Sequence, residues 1–286
     1  MASWVPPDGL PAGRLIVPDP QYAGGNPVTE PVLWITEDPP PEPGQLWARL
    51  LAGHPATGLW PLLLTTMVVP TMVGLHAEIQ DVIRRSNPPG RPWLTGELVP
   101  VPDSQIGELD PGELLAQGWN LTTGQGEEGF DFGDDALPAV PFRSWPGLAG
   151  PGAPGSDPDA RAAEVVTSAD GVREVTGRDD PPHLGLVPAP DGAGAITACG
   201  WMSQAGDPAE IASVIRSWQE RFGARLCSLG MDTLGVSVAW PPTTADHAQR
   251  VAAEHFAFCA DIADFTSFDK YAASLVGATA WTFWWD

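Results

Sequence analysis

Residues 207–229, DPAEIASVIRSWQERFGARLCSL, decide how the rest of this 286-residue chain is read. Asp207 is an N-cap residue, Pro208 stands at the first helical position where a missing N–H costs nothing, and Glu210 adds an acid to the first turn. A helix therefore starts here. Ile211, Val214, Ile215, Trp218 and Phe222 follow at three- and four-residue spacing as one apolar stripe, and Gly223 supplies the left-handed residue that ends it. Residues 224–229 then read as a strand.

The same signals recur further along. A second helix begins at Thr243 or Thr244, after Pro241-Pro242, with Ala248, Val251, Ala252, His255, Phe256 and Cys259 on its inner face. A third runs from Ser267 through Phe268, Tyr271, Ala272 and Leu275 to Gly277. Residues 195–201, 234–240 and 281–285 read as strands from their β-branched and aromatic content. The order βαββααβ, with a hairpin near Met231-Asp232-Thr233, predicts a ferredoxin-like sheet with helices on one face. Such a sheet has a second face, where Trp284 and Trp240 are the candidate binding residues. Its cover would be the rest of this chain, a second subunit or another protein.

Upstream, residues 1–147 read as an N-terminal α+β domain. Residues 14–17, 32–36 and 59–69 predict strands, 43–51 and 75–85 predict helices, and Asp110-Pro111-Gly112-Glu113 resembles another helix start. Residues 148–185 open on Gly150-Pro151-Gly152-Ala153-Pro154-Gly155 and close on Asp179-Asp180-Pro181-Pro182 with little to bury, which predicts a flexible linker holding a short helix near 160–166. The expectation is an α+β chain, an α/β sandwich in its C-terminal domain (186–286), with the linker between two domains.

Composition bounds the function. Hydrophobic residues make up 43%, enough for a sizeable core, whereas 32 glycines and 33 prolines together exceed the usual ~12% and imply long irregular connections. The formal charge is −22, from 36 acidic and 14 basic residues. Phosphate backbones and anionic lipid repel such a chain, so nucleic acid and membrane surfaces are excluded as partners. Residues 59–75 carry no charge, but Pro61 and Pro70 interrupt them and they fall short of the ~20 residues of a membrane-spanning helix. Met1 to Leu10 has no basic residue and does not read as a secretory signal. Cys199, Cys227 and Cys259 are odd in number and widely spaced, which fits neither a disulfide framework nor a zinc knuckle and points to a reducing cytoplasm.

Three clusters could carry chemistry. Gly124-Gln125-Gly126-Glu127-Glu128-Gly129 has the spacing of a dinucleotide loop, but its two carboxylates oppose a phosphate and no strand precedes it, so it reads as a turn. Glu127, Glu128, Asp131, Asp134 and Asp135 are oxygen ligands suited to a hard cation, without the spacing of an EF-hand; they read as a solvated acidic loop. The third cluster is Glu254, His255, Cys259 and Asp261. His255 and Cys259 lie four apart on one helix face, compatible with two metal ligands or with a thiol activated by an imidazole that Glu254 or Asp261 orients. Both also lie on the apolar stripe, which fits a core histidine beside an inert thiol. No metal set or cofactor motif accompanies them.

The segments Ile215-Arg216-Ser217-Trp218-Gln219-Glu220-Arg221-Phe222-Gly223-Ala224, Pro241-Pro242, Ala252-Ala253-Glu254-His255-Phe256-Ala257-Phe258-Cys259 and Trp281-Thr282-Phe283-Trp284-Trp285-Asp286 together resemble the bacterial family called domain of unknown function 4253. Ala260 and Gln219 depart from its pattern, where a proline and an acid are expected. The family has no established activity, so the resemblance implies a bacterial cytoplasmic protein and transfers no catalytic residue. The leading expectation is a non-enzymatic protein that binds another protein, a basic or immunity-type partner. The alternative is an enzyme using His255 and Cys259.

Overall fold

The computed structural model describes residues 4–18, 28–65, 98–124, 139–201 and 206–285. Helix ends form where the capping chemistry puts them. Pro208–Phe222 is helical, with the Asp207 side chain accepting from the Ala209 N–H at 2.7 Å and Gly223 left-handed at φ 59°. Its whole predicted stripe is buried. Asp110 caps Pro111–Thr123 by accepting from the amides of Gly112 and Glu113, and Thr244 caps Ala245–Phe258 through the amide of His247. Each such cap satisfies an otherwise orphaned amide and stabilises by about 1 kcal/mol.

In chain order the strands are β1 (Gly13–Ile16), β2 (Leu33–Thr36), β3 (Leu59–Leu64), β4 (His183–Pro188), β5 (Arg225–Leu229), β6 (Thr233–Ser237) and β7 (Ala280–Trp284). The helices are α1 (Pro43–Thr57), α2 (Pro111–Thr123), α3 (Pro158–Val166), α4 (Ala169–Thr176), α5 (Gly192–Cys199), α6 (Pro208–Phe222), α7 (Ala245–Phe258), α8 (Ile262–Phe265) and α9 (Phe268–Leu275). Among the described residues, these seven strands join one mixed sheet in the order β1-β2-β4-β3-β5-β6-β7. β3 and β5 pair parallel; the other neighbours pair antiparallel. Every residue of β3 is buried, as an apolar run covered on both faces should be.

The α+β class stands, and its arrangement differs from the sequence reading in three ways. Of residues 195–201, expected as a strand, 195–199 belong to α5, Gly200 caps it, and Trp201 forms a lone antiparallel bridge with Leu98. Asp191 accepts from the Gly194 amide at 2.7 Å and Gly200 ends the helix at φ 69°, so capping and small-residue helix propensity outweigh the β-branched Ile196 and Thr197. The strand lies earlier, at β4. Next, the strand order is not ferredoxin-like: β3 from the N-terminal half sits between β4 and β5. A helix is ~10 Å across and strands lie ~4.8 Å apart, so a crossover through α5 and α6 spans one extra strand position. β3 fills it, and the sheet is continuous across the expected domain division.

The third difference concerns the expected linker. Residues 157–176 form α3 and α4, capped by Asp157 and Ser168. Ala162, Val165, Val166 and Val175 are buried, a sparse set that suffices because helical spacing puts them on one side. They cover the second face of the sheet. Ser228 donates from its hydroxyl to the Val175 carbonyl and Thr282 to the Glu174 carbonyl, and any side chain at Gly235 would collide with the Val175 carbonyl. On the opposite face Trp281 and Phe283 meet Trp218 of α6 and His255 of α7. Helices therefore lie on both faces, where one was expected.

The expected helix at 75–85, the end of the expected strand at 66–69 and the acidic residues 127–135 lie outside the described residues. Among the described residues, no helix is long and apolar enough to cross a membrane.

Candidate functional site

α7 places Glu254 and His255 on adjacent but different contacts. Glu254 is fully buried, and its two oxygens accept four hydrogen bonds: Oε1 from the Ala149 amide (2.7 Å) and Arg221 Nη1 (2.8 Å), Oε2 from Trp218 Nε1 (2.8 Å) and Arg221 Nη2 (2.7 Å). Arg221 also donates to Ser217 Oγ and the Ala149 carbonyl. A bidentate pair satisfied on every side ties α6 to α7 and to the chain at 149. Its carboxylate is committed there and does not orient His255.

His255 sits in an aromatic cage. Its Nδ1 lies 2.9 Å from the Tyr271 hydroxyl, and Trp218, Trp281, Phe283 and Tyr271 present ring edges or faces to it at centroid distances of 4.6–5.8 Å. Nε2 is buried and has no hydrogen-bond partner. Burial foremost, and then the positive charge of Arg221, push the imidazole pKa down from 6.5 to about 3, so it is neutral at physiological pH. The same desolvation drives the Tyr271 phenol above its ordinary value.

Cys259 is buried and its thiol donates to the Trp284 carbonyl at 3.0 Å. Burial, aided by the charge of Asp261, raises its pKa from 9.0 to about 12. A nucleophilic cysteine needs the opposite shift. Imidazole and thiol, which the sequence brings onto one helix face, each hold a different partner, Tyr271 and Trp284. Asp261 stands half-buried at the start of α8. Among the described residues, no group of three or more His, Cys, Asp or Glu side chains could hold a metal ion.

The two tryptophans expected on an open sheet face are both engaged. Trp240 donates to the Ser156 carbonyl at 2.9 Å and packs on Gly152 and Gly223. Trp284 donates to Asp232 Oδ2 at 2.9 Å, and Arg178 holds both oxygens of that carboxylate at 2.8 and 2.9 Å. Trp284 is half-buried, and Phe265, 71% exposed, stacks edge-on against it at 5.3 Å.

Surface cavities lie elsewhere among the described residues. One of about 520 Å³ runs between the start of α1 and the α3–α4 corner, walled by Pro41, Pro43, Pro181 and Pro182 and rimmed by Arg173 and Arg178. A polar cleft of about 250 Å³ is lined by His54, Trp60, Asp159, Asp191, Gln219 and Arg225. There His54 Nε2 meets the Ala189 carbonyl at 2.8 Å, Arg225 pairs with Asp159, and Gln219 accepts from the Ala193 amide. The sequence reading named neither cavity, because each is assembled from segments far apart in the chain. The exposure of Phe265 had a local signal: it lies between the polar residues Asp264 and Thr266, off any apolar stripe.

No curated protein and no solved structure matches the chain. Residues 183–286 match the family described as Domain of unknown function (DUF4253). That stretch holds β4 to β7, while β3, which separates β4 from β5, comes from outside it. The part of this chain that is similar to the DUF4253 family is thus the C-terminal part, which carries the Trp218–Glu254–Arg221 lock and the caged His255.

Proposed function

We propose that the protein works by binding another protein of basic character, an immunity-type or inhibitory arrangement, rather than by catalysis. The observation that carries this reading is the fate of the positive charge. Six arginines are turned onto carboxylates of the same chain: Arg161 on Glu164, Arg173 on Asp170, Arg178 on Asp232, Arg216 on Asp103, Arg221 on Glu254 and Arg225 on Asp159. The net charge of −22 is thus carried by carboxylates beyond those pairs, and a field of one sign speeds encounter with a basic partner and turns acidic ones away. The groups that would serve catalysis support the same reading, since burial keeps the Cys259 thiol protonated and leaves the His255 imidazole, with a pKa of about 3, a weak base.

Affinity capture from the cell that makes the protein, at about 50 and 500 mM salt, tests this. A basic protein retained in stoichiometric amount at low salt and lost at high salt supports the reading. Retention of nothing at either salt removes it.

A further inference from the structure

Resting on that reading, we propose that the outer edge of β7, with the Phe265–Trp284 aromatic pair beside it, takes up an extended basic segment of the partner protein as an additional strand of the sheet. Among the described residues, β7 is a terminal strand of the sheet. Its inner side is fixed by the Trp285 amide donating to the Asp232 carbonyl and the Val238 amide donating to the Thr279 carbonyl, with Trp281 opposite Val236 and Phe283 opposite Leu234. By the alternation of an antiparallel ladder, the N–H and C=O of Thr282 point away from β6. One outward group is already capped, the Trp284 carbonyl, by the Cys259 thiol. Thr282 itself is half-buried rather than covered. An unpaired edge of this kind is a template for strand addition, in which backbone hydrogen bonds give affinity and side-chain contacts give selectivity.

The selectivity elements adjoin the edge. Phe265 is 71% exposed against the Trp284 ring, and its helix, α8, follows shortly after Cys259, whose thiol meets the outward Trp284 carbonyl. Aromatic side chains are enriched at interface centres. Exposed carboxylates flank them: Glu174, whose carbonyl receives the Thr282 hydroxyl, and Asp264, next to Phe265. The nearby arginines are turned away onto carboxylates, Arg173 to Asp170 and Asp179, Arg178 to Asp232. A second copy of the chain would bring another −22 to this edge, whereas a strand bearing Lys or Arg is complementary to it.

The test uses the full chain and a displayed library of random twelve-residue peptides, selected in parallel against the Phe265→Asp and Thr282→Pro variants. Thr282→Pro removes an outward N–H and leaves the β6–β7 ladder bonds in place. If that variant does not fold, Phe265→Asp, a change at an exposed side chain, carries the test. The recovered peptides are expected to alternate apolar with basic residues and to protect the Thr282 amide from hydrogen exchange. Either variant, or methylation of alternate peptide nitrogens, should weaken them by about tenfold or more. Peptides that bind the variants equally well, that lack basic residues, or that are not recovered at all overturn the proposal. So does a dimer of the chain that Phe265→Asp abolishes, since the edge then belongs to a second copy. Should capture from the cell still retain a basic protein while the edge fails, the binding reading stands and only its location falls; if both fail, both fall.

Discussion

Trp218 and Glu254 are joined inside the protein, the indole Nε1 donating at 2.8 Å to Oε2 of a carboxylate with no exposed surface. Arg221 closes the arrangement from the same helix as Trp218, holding both oxygens of Glu254. Removing one member of a buried, hydrogen-bonded ion pair leaves the other charge without compensation and costs about 3–5 kcal/mol. Glu254→Ala is expected to lose about that much in urea denaturation. A loss below about 1 kcal/mol would show that water reaches Arg221 and that the lock is loose.

Trp218 also stacks on Phe283 at 5.2 Å and meets His255, Phe258 and Trp281. Trp218→Ala removes the centre of this aromatic core and is expected to cost about 3–5 kcal/mol. Trp218→Phe keeps most of the packing but leaves Glu254 Oε2 one donor short. Its expected cost is smaller, about 1–3 kcal/mol. Equal stability of the two variants would contradict the division between packing and hydrogen bonding.

The caged imidazole gives the protein a specific acid sensitivity. The pKa of His255 is about 3 in the folded state against 6.5 unfolded. Between those values the unfolded chain binds the extra proton, so stability falls as pH drops from 6.5 towards 3, by up to ~1.4 kcal/mol per pH unit. Above pH 6.5 this contribution is flat. His255→Gln is expected to reduce the slope of unfolding free energy against pH in that window relative to the unaltered chain. Parallel slopes would mean that His255 protonates as readily folded as unfolded.

The second face of the sheet is tested at Gly235, where the Val175 carbonyl of α4 leaves no room for a Cβ. Gly235→Ala is expected to destabilise by about 1–3 kcal/mol through displacement of α4, and to speed proteolysis between residues 157 and 176. An unaffected Tm and cleavage rate would detach α4 from the sheet.

These sites also show what the sequence made legible. The start signals of α6 and α7 could be read because capping is chemistry among neighbours: Asp207 with Ala209, Thr244 with His247. The apolar stripe carrying His255 and Cys259 was equally plain. What was not legible depends on pairing between distant segments. Nothing near Leu59–Leu64 announces that it will separate β4 from β5, and the few valines of α3 and α4 reveal their burial only once Gly235 and Thr282 lie beneath them. The strand expected at 195–201 failed for a local reason, because the cap at Asp191 and the glycine at 200 outvoted two β-branched residues. At the candidate site, residue identities were legible and their protonation states were not, since those follow from desolvation by Trp218, Trp281 and Phe283.

The most direct measurement is the rate at which iodoacetamide modifies each cysteine of the folded chain at pH 8, resolved by mass spectrometry. With the thiols of Cys199, Cys227 and Cys259 all buried and raised to about 12, each should react only as fast as the protein opens, and quickly in urea. Cys259 reacting within minutes in the folded protein, while Cys199 and Cys227 stay protected, would contradict the account and return chemistry to the His255–Cys259 pair.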